Sequence, residues 1–271
     1  MTGDALNRVT DDDRRHIAAQ SFVSHVDFHD ELASTNDRAA ELCRGDDVSR
    51  PALVLTARQT AGRGRGGNRW WAADGALTFS LVLDTHRPGH DHTSLAVMSL
   101  VAALGIADAI DALLGPSHRC RVKWPNDVYV SGRKICGILP ERPHGDAGPL
   151  IVGIGLNVNN STSRAPDDIQ STAVALCDID AQPRPLAGVL IEALRGLEQA
   201  LMRFTVAGEG ELQSWWQSRC LLTGCVVRAL VGSKTVTGLC RGITDRGALI
   251  VDTAGGRETL ISATIASFDQ P

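Results

Sequence analysis

The chain has 271 residues, of which 43% are hydrophobic and 21% charged, and 27 Lys and Arg against 31 Asp and Glu give a net charge of −4. That length accommodates one large and one small domain with a substantial core, which excludes a disordered or fibrous chain. Mild acidity also excludes a surface built for general binding of nucleic acid or anionic membrane, so any anion site must be local. Charge is unevenly spread: residues 1–47 hold eleven acids against five Arg, whereas residues 58–69 carry Arg58, Arg63, Arg65 and Arg69 with no acid. Seven Cys without a C-x-x-C pair fit neither a disulfide framework nor a zinc ribbon and read as buried thiols of a cytoplasmic protein. The polar N-terminus offers no signal-peptide core, and the most apolar stretch, Leu95 to Leu114, is interrupted by Asp108 and Asp111, so no membrane partner is expected.

In chain order, residues 1–20 read as a charged, flexible lead-in, because their apolar periodicity is too weak for a domain. Ser34-Thr35-Asn36-Asp37 supplies N-cap candidates for a short helix through Leu42, and Pro51 to Thr56 reads as a strand. Leu77 to Leu83 has the composition of a strand covered on both faces, and Leu95 to Leu114 that of a deeply packed helix ending before Gly115-Pro116. From Arg121 the pattern becomes an antiparallel meander of Val128 to Val130, Ile135 to Leu139 and Leu150 to Val158. Pro185 to Phe204 has helical spacing, followed by a second amphipathic piece carrying Trp215 and Trp216. After Cys225, short apolar runs alternate with glycine turns, the pattern of a small β-barrel. The expected domains are therefore 21–223 and 224–271, behind the lead-in.

Three segments carry chemistry. GRGRGGNRW at 62–70 contains G-x-G-x-x-G, but a dinucleotide fingerprint needs a helix directly after the glycines, and here Trp70, Trp71 and Gly75 lead into a strand. Glycines that admit close backbone approach, with guanidinium forks from Arg63, Arg65 and Arg69, suit a lid closing on carboxylate or phosphate. Trp70 either stacks on a base or anchors the loop in the core. KWPND at 123–127, with Lys134 and Gly137 on the next strand, places Lys123, Asp127 and Lys134 at one sheet end, where an Asp suits a Mg²⁺ accompanying ATP; a simple Asx turn is the alternative. GIGLNVN at 153–159 combines strand glycines, which allow close ligand approach, with Asn amides able to meet an adenine edge; a bulge is the alternative. His86, His90 and His92 lie in a loop without accompanying Cys, and no zinc site is expected there.

These segments, with RKICGILPE at 133–141, occur in an order that resembles the biotin protein ligases from about Ser34 to the chain end. The resemblance implies an α+β fold: a mixed, mainly antiparallel sheet flanked by helices, of the class II synthetase-like type, with a small C-terminal SH3-like barrel. It implies activation of biotin by ATP and transfer to a lysine of a biotin carboxyl carrier domain. By motif, Ser34, Thr35, Asn36, Gln59 and Gly137 correspond to biotin contacts, with Arg63, Gly64 and Arg65 closing over the ligand. Lys134 corresponds to the essential lysine and, with Arg65, to the catalytic pair. Lys123, Asn126, Asp127, Trp70 and Asn157 correspond to the ATP side, Asp127 taking Mg²⁺. Gly66 and Asn68 stand where the family often has further basic residues, which implies a looser, less positive lid.

Two other readings compete. A lipoate ligase shares fold and chemistry, but a dithiolane calls for apolar walls whereas a ureido ring calls for partners such as Gln59, Ser34 and Thr35. A nucleic-acid-binding protein using the Arg-Gly loop is opposed by the net charge, and about 20 residues ahead of the catalytic region leave no room for a winged helix-turn-helix, so no specific DNA partner is expected. The sheet offers a surface for a homodimer.

Overall fold

The computed structural model describes residues 3–45, 48–84, 94–143 and 148–269, so the histidine cluster of residues 86–92 lies outside the described residues. The N-terminal segment forms α1 (Gly3–Leu6) and α2 (Asp11–Gln20), followed by β1 (His25–Leu32), α3 (Thr35–Leu42), β2 (Ala52–Gln59), β3 (Ala76–Leu83) and α4 (Leu95–Leu114). The meander comprises β4 (Arg121–Lys123), β5 (Asp127–Val130), β6 (Arg133–Glu141) and β7 (Leu150–Asn157). Short helices α5 (Asp167–Gln170) and α6 (Leu176–Asp180) precede α7 (Leu186–Arg219), after which come β8 (Val226–Val231), β9 (Lys234–Ile243), β10 (Leu249–Thr253), β11 (Gly256–Leu260) and β12 (Thr264–Asp269).

Strands β1 to β7 build one sheet in the order β1-β2-β3-β7-β6-β5-β4, parallel only between β1 and β2. Every residue of β3 is buried, as its unbroken apolar run requires of a strand covered on both faces. Helices α4 and α7 cover one face, and α3 covers the other through a small cluster of Ala39, Ala52, Val54, Val82 and Ile151. The second sheet, β11-β10-β9-β8-β12, is antiparallel throughout, and its Val227, Ala229, Leu249 and Val251 join the same apolar core as α4. Trp124 Nε1 donates to Gly247 O at 2.9 Å, tying the KWPND turn to this second sheet.

Three expectations change. Residues 11–20 form a helix instead of a flexible lead-in: Thr10 and Asp13 make a reciprocal N-terminal cap, and Ile17 is fully buried against the core. The two amphipathic pieces after Pro185 are one 34-residue helix, because burial of Leu212, Trp215 and Trp216 carries the helix through Gly208 and Gly210. Strands β1, β4 and β12 were not expected, the first because five of its eight residues are polar or charged, the second because three residues show no periodicity.

Helix α4 is apolar enough in composition to span a membrane, yet most of it is buried inside the protein. It crosses α7 closely at Gly105 and Gly196, where a Cβ on Gly105 would lie 2.6 Å from Gly196 O. Beside the crossing, Arg219 of α7 pairs with Asp111 at 2.6 Å and with Asp108, fastening the ends of the two helices. Gly105→Ala is expected to lower stability by about 1–3 kcal/mol in urea unfolding, although Ala is the better helix former, because overpacking outweighs the propensity gain of about 1 kcal/mol.

Candidate functional site

Five segments of the first sheet's domain converge on one cavity of about 160 Å³: the start of α3, the segment from Gln59 to Trp70, the β4–β5 turn, β6 and β7. A sixth wall is Ala263, Thr264 and Ile265 of the second sheet's domain. Of the charged residues lining the cavity, Arg63, Arg65, Arg69, Lys123 and Lys134 are basic and Asp127 is acidic. Arg58, the fourth Arg of the basic segment, faces away from it and pairs with Glu31 of β1 at 3.2 Å, its cross-strand partner.

The Arg-Gly segment is a small hairpin. Gly64 N donates to Asn68 O at 2.7 Å, Trp70 N donates to Gly62 O at 2.9 Å, and Gly66 and Gly67 turn the tip at positive φ. Gly66 therefore stands where a basic side chain would meet backbone strain. At the tip, Arg65 donates to Ser262 Oγ at 3.0 Å and Ala263 O at 3.4 Å, so the lid rests on the C-terminal module. Burial pushes the Arg65 guanidinium below its ordinary pKa, against the opposing pull of Asp127.

Lys134 Nζ lies 2.6 Å from Asp127 Oδ1 and 5.7 Å from the centre of the Trp70 ring. Gly137 makes room for it, since a Cβ there would sit 3.2 Å from Nζ. Lys123 is held between the rings of Tyr129 and Phe268, at 5.7 and 5.5 Å, and donates to Ile265 O at 3.4 Å. Burial pushes its ammonium down, Asp127 opposes this, and Lys134 adds to it. Two ammonium groups beside a single carboxylate make this end of the cavity chemically suited to an anion.

On the opposite wall, Thr35 N donates to Gln59 Oε1 at 2.9 Å, and the buried Ser80 hydroxyl reaches Thr35 Oγ1 at 2.8 Å and Asn36 Oδ1 at 2.7 Å. Ser34, Thr35 and Asn36 line the cavity, but both N–H groups of Asn36 are used inside the protein, by Leu139 O at 3.2 Å and Glu141 at 2.7 Å. Asn36 thus organises the wall. Asn126 also lines the cavity, its amide donating to Ile138 O at 2.7 Å.

Asn157 is the expected site residue that the cavity does not include. It is 2% exposed, donates to Val174 O at 3.2 Å and accepts from Asn160 at 2.9 Å. The glycines beside it also do something other than admit a ligand. A Cβ on Gly153 would meet Asn36 Oδ1 at 2.2 Å, and one on Gly155 would meet Trp70 Cε2 at 2.3 Å. They admit Asn36 at the start of α3 and the lid's Trp70 onto β7. Trp70 Nε1 is buried there without a hydrogen-bond partner.

Residues 30–159 match the biotin/lipoate A/B protein ligase family, and residues 226–266 match the biotin protein ligase C terminal domain. A biotin--[acetyl-CoA-carboxylase] ligase of Mycobacterium tuberculosis is 33% identical over 251 residues, 91% of this chain and 90% of that protein. The chain belongs to the biotin protein ligases. A biotin--[acetyl-CoA-carboxylase] ligase of Paracoccus denitrificans is 31% identical over 86% of this chain and 96% of its own length. The structure of the Aquifex aeolicus biotin protein ligase in complex with biotin and ATP superposes with a TM-score of 0.77 at 29% identity, covering 92% of this chain and all of that one.

Several residues in or beside this biotin protein ligase site gave no signal in the sequence. Ser262 to Ile265 reach it from nearly 200 positions beyond the lid, with no motif of their own. Glu141 ends the RKICGILPE segment, but only the fold shows that it faces Arg63 and Asn36. For the glycine pair, Gly155→Ala is expected to cost this ligase about 1–3 kcal/mol in urea unfolding, and clearly less in a Trp70→Ala background, where the clash is gone.

Proposed function

We propose that this ligase activates biotin with ATP to biotinyl-5′-AMP, releasing pyrophosphate, and then transfers biotin to a lysine of a biotin carboxyl carrier domain. The observation that carries this reading is the grouping of Arg63, Arg65, Arg69, Lys123 and Lys134 about Asp127 in one cavity. Joining a biotin carboxylate to the α-phosphate of ATP brings two anions together, and preorganised cations offset that repulsion as the pentavalent centre forms. Lys134 is assigned the α-phosphate and carboxylate oxygens, which would draw it from Asp127, and Lys123 the outer phosphates. Arg65 closes the lid and Trp70 stacks on the adenine. Ser34, Thr35, Gln59 and Gly137 are assigned the biotin side, whose polar wall suits a ureido ring better than a dithiolane and so favours biotin over lipoate. Asn157 is given no ligand contact.

Mg²⁺ fits the donor set. Asp127 Oδ1 is buried, its contact with Lys134 lacks hydrogen-bond alignment, and one carboxylate suits an ion held mainly by phosphate oxygens and water. No larger group of metal-ligating side chains occurs among the described residues. Bound there, Mg²⁺ would neutralise phosphate charge. The adenylate is then kept from water by Arg65 and the hairpin until the acceptor amine attacks its carbonyl and AMP leaves.

A cytoplasmic location, a 21–223 catalytic domain with a 224–271 C-terminal domain, and a homodimer through the catalytic sheet belong to the same proposal. The free state of all seven cysteines supports the first, and the edge position of β1 in the sheet supports the last. The pairing of Arg63 with Glu141 and Asp37 counts against an Arg-Gly tract that touches nucleic acid, and no specific DNA binding is proposed.

Purified protein with biotin, ATP and Mg²⁺ is expected to release pyrophosphate and label a carrier-domain lysine; equal or better turnover with lipoate would remove the biotin assignment. Lys134→Ala is expected to lower adenylate formation at least roughly 100-fold, the scale of losing one preorganised transition-state contact. Arg65→Gly is expected to form adenylate but release it to solvent, read as free biotinyl-AMP in a single-turnover assay; full retention would remove the lid role.

A further inference from the structure

Glu141 closes β6 just outside the cavity and makes three charge-assisted or amide contacts. Its Oε1 accepts from Arg63 Nη1 at 2.8 Å, and its Oε2 accepts from Arg63 Nη2 at 2.9 Å and from Asn36 Nδ2 at 2.7 Å. Arg63 Nη2 also donates to Asp37 Oδ1 at 2.8 Å. Asn36 is 4% exposed, and its Oδ1 accepts from Ser80, which is fully buried. A continuous chain thus runs from the sheet core through Ser80, Asn36 and Glu141 to Arg63 and the hairpin. Glu141 is the one member bound to both the cavity wall and the lid.

A bidentate carboxylate fixes a guanidinium in plane and direction, which a single contact does not. With Glu141 removed, Arg63 would keep only Asp37, whose side chain is exposed, and a buried Asn36 N–H would lose its acceptor. The hydrogen bond to Glu141 also raises the Arg63 pKa from its ordinary value, the direction expected of a guanidinium beside a carboxylate. We propose that Glu141 is a positioning residue that holds the lid: it fixes Arg63 and orients Asn36, so that the hairpin stays ordered over bound adenylate. The consequence for adenylate rests on the biotin ligase reading, whereas the ordering of the hairpin does not.

Glu141→Gln is the informative variant, because its amide NH₂ would face an Arg63 or Asn36 donor in place of an acceptor. Two measurements on the full chain test the proposal. In hydrogen exchange without ligand, the Gly64 and Trp70 amides, which close the hairpin, should exchange roughly tenfold faster in Glu141→Gln, while β3 amides keep their protection. In adenylation assays, Glu141→Gln should raise KM for biotin and speed adenylate release about tenfold, the scale of a lost charge-assisted bond, with kcat for pyrophosphate release within about twofold. Glu141→Asp should recover part of both effects, and Glu141→Gln should add little in an Arg63→Ala background.

Unchanged hairpin exchange in Glu141→Gln would overturn the positioning role. So would equal loss in the Asp and Gln variants accompanied by a general loss of β3 protection, which would show a merely structural residue. Should Glu141→Gln fail to fold, the Glu141→Asp and Arg63→Ala variants decide by the same exchange measurement, an unchanged hairpin in both overturning the proposal. If the wild-type chain forms no adenylate, the ligase reading fails by itself, and the exchange data still decide the role of Glu141.

Discussion

The site depends on the absence of two Cβ atoms from the central strand β7. Asn36 occupies the space over Gly153 and Trp70 the space over Gly155, at distances no alanine would permit. Because β7 is buried between β3 and β6, it cannot move to accommodate larger residues, so the approach of the α3 N-terminus and the lid is set by this strand. The hydrogen bonds of Asn36 to Ser80 and Glu141, and through Glu141 to Arg63, all follow from that seating.

Charge is the second constraint. Five basic groups share one cavity, and burial lowers the pKa of Arg65 and Lys123. Four of them are held by partners that offset their repulsion: Arg63 by Glu141 and Asp37, Lys134 by Asp127, Lys123 by two aromatic rings, and Arg65 by Ser262 and Ala263. The last two contacts draw the C-terminal module into the site. Its sheet continues the core begun by α4, so the wall at Ala263 to Ile265 is held as firmly as the rest of the fold.

Much of this was legible in the chain. The helices at Thr35–Leu42 and Leu95–Leu114 and the central strands follow from polar helix starts, apolar runs and glycine turns, all of which act over a few residues. The flexible reading of residues 11–20 failed because a single buried Ile17 leaves almost no periodicity, and the broken reading of α7 failed because glycines were weighed without the packing on either side of them. Asn157 shows the same limit: an amide after a glycine strand has the same sequence whether it meets an adenine or packs, as here, on Val174 and Asn160.

The sequence by itself therefore determined the two-part α+β architecture, the arginine-rich lid segment, the KWPND turn and, through the resemblance they carry, the family's anhydride-forming chemistry. Tertiary structure alone decided which cations face the cavity, turning Arg58 outward to Glu31 while Arg65 turns to the C-terminal module. It also decided what the β7 glycines accommodate and which carboxylate holds Arg63. The physical reason is range: turns and caps are encoded by neighbouring residues, whereas Arg63 finds Glu141 across 78 positions and Arg65 finds Ala263 across 198, pairings that exist only once the sheets and helices have packed.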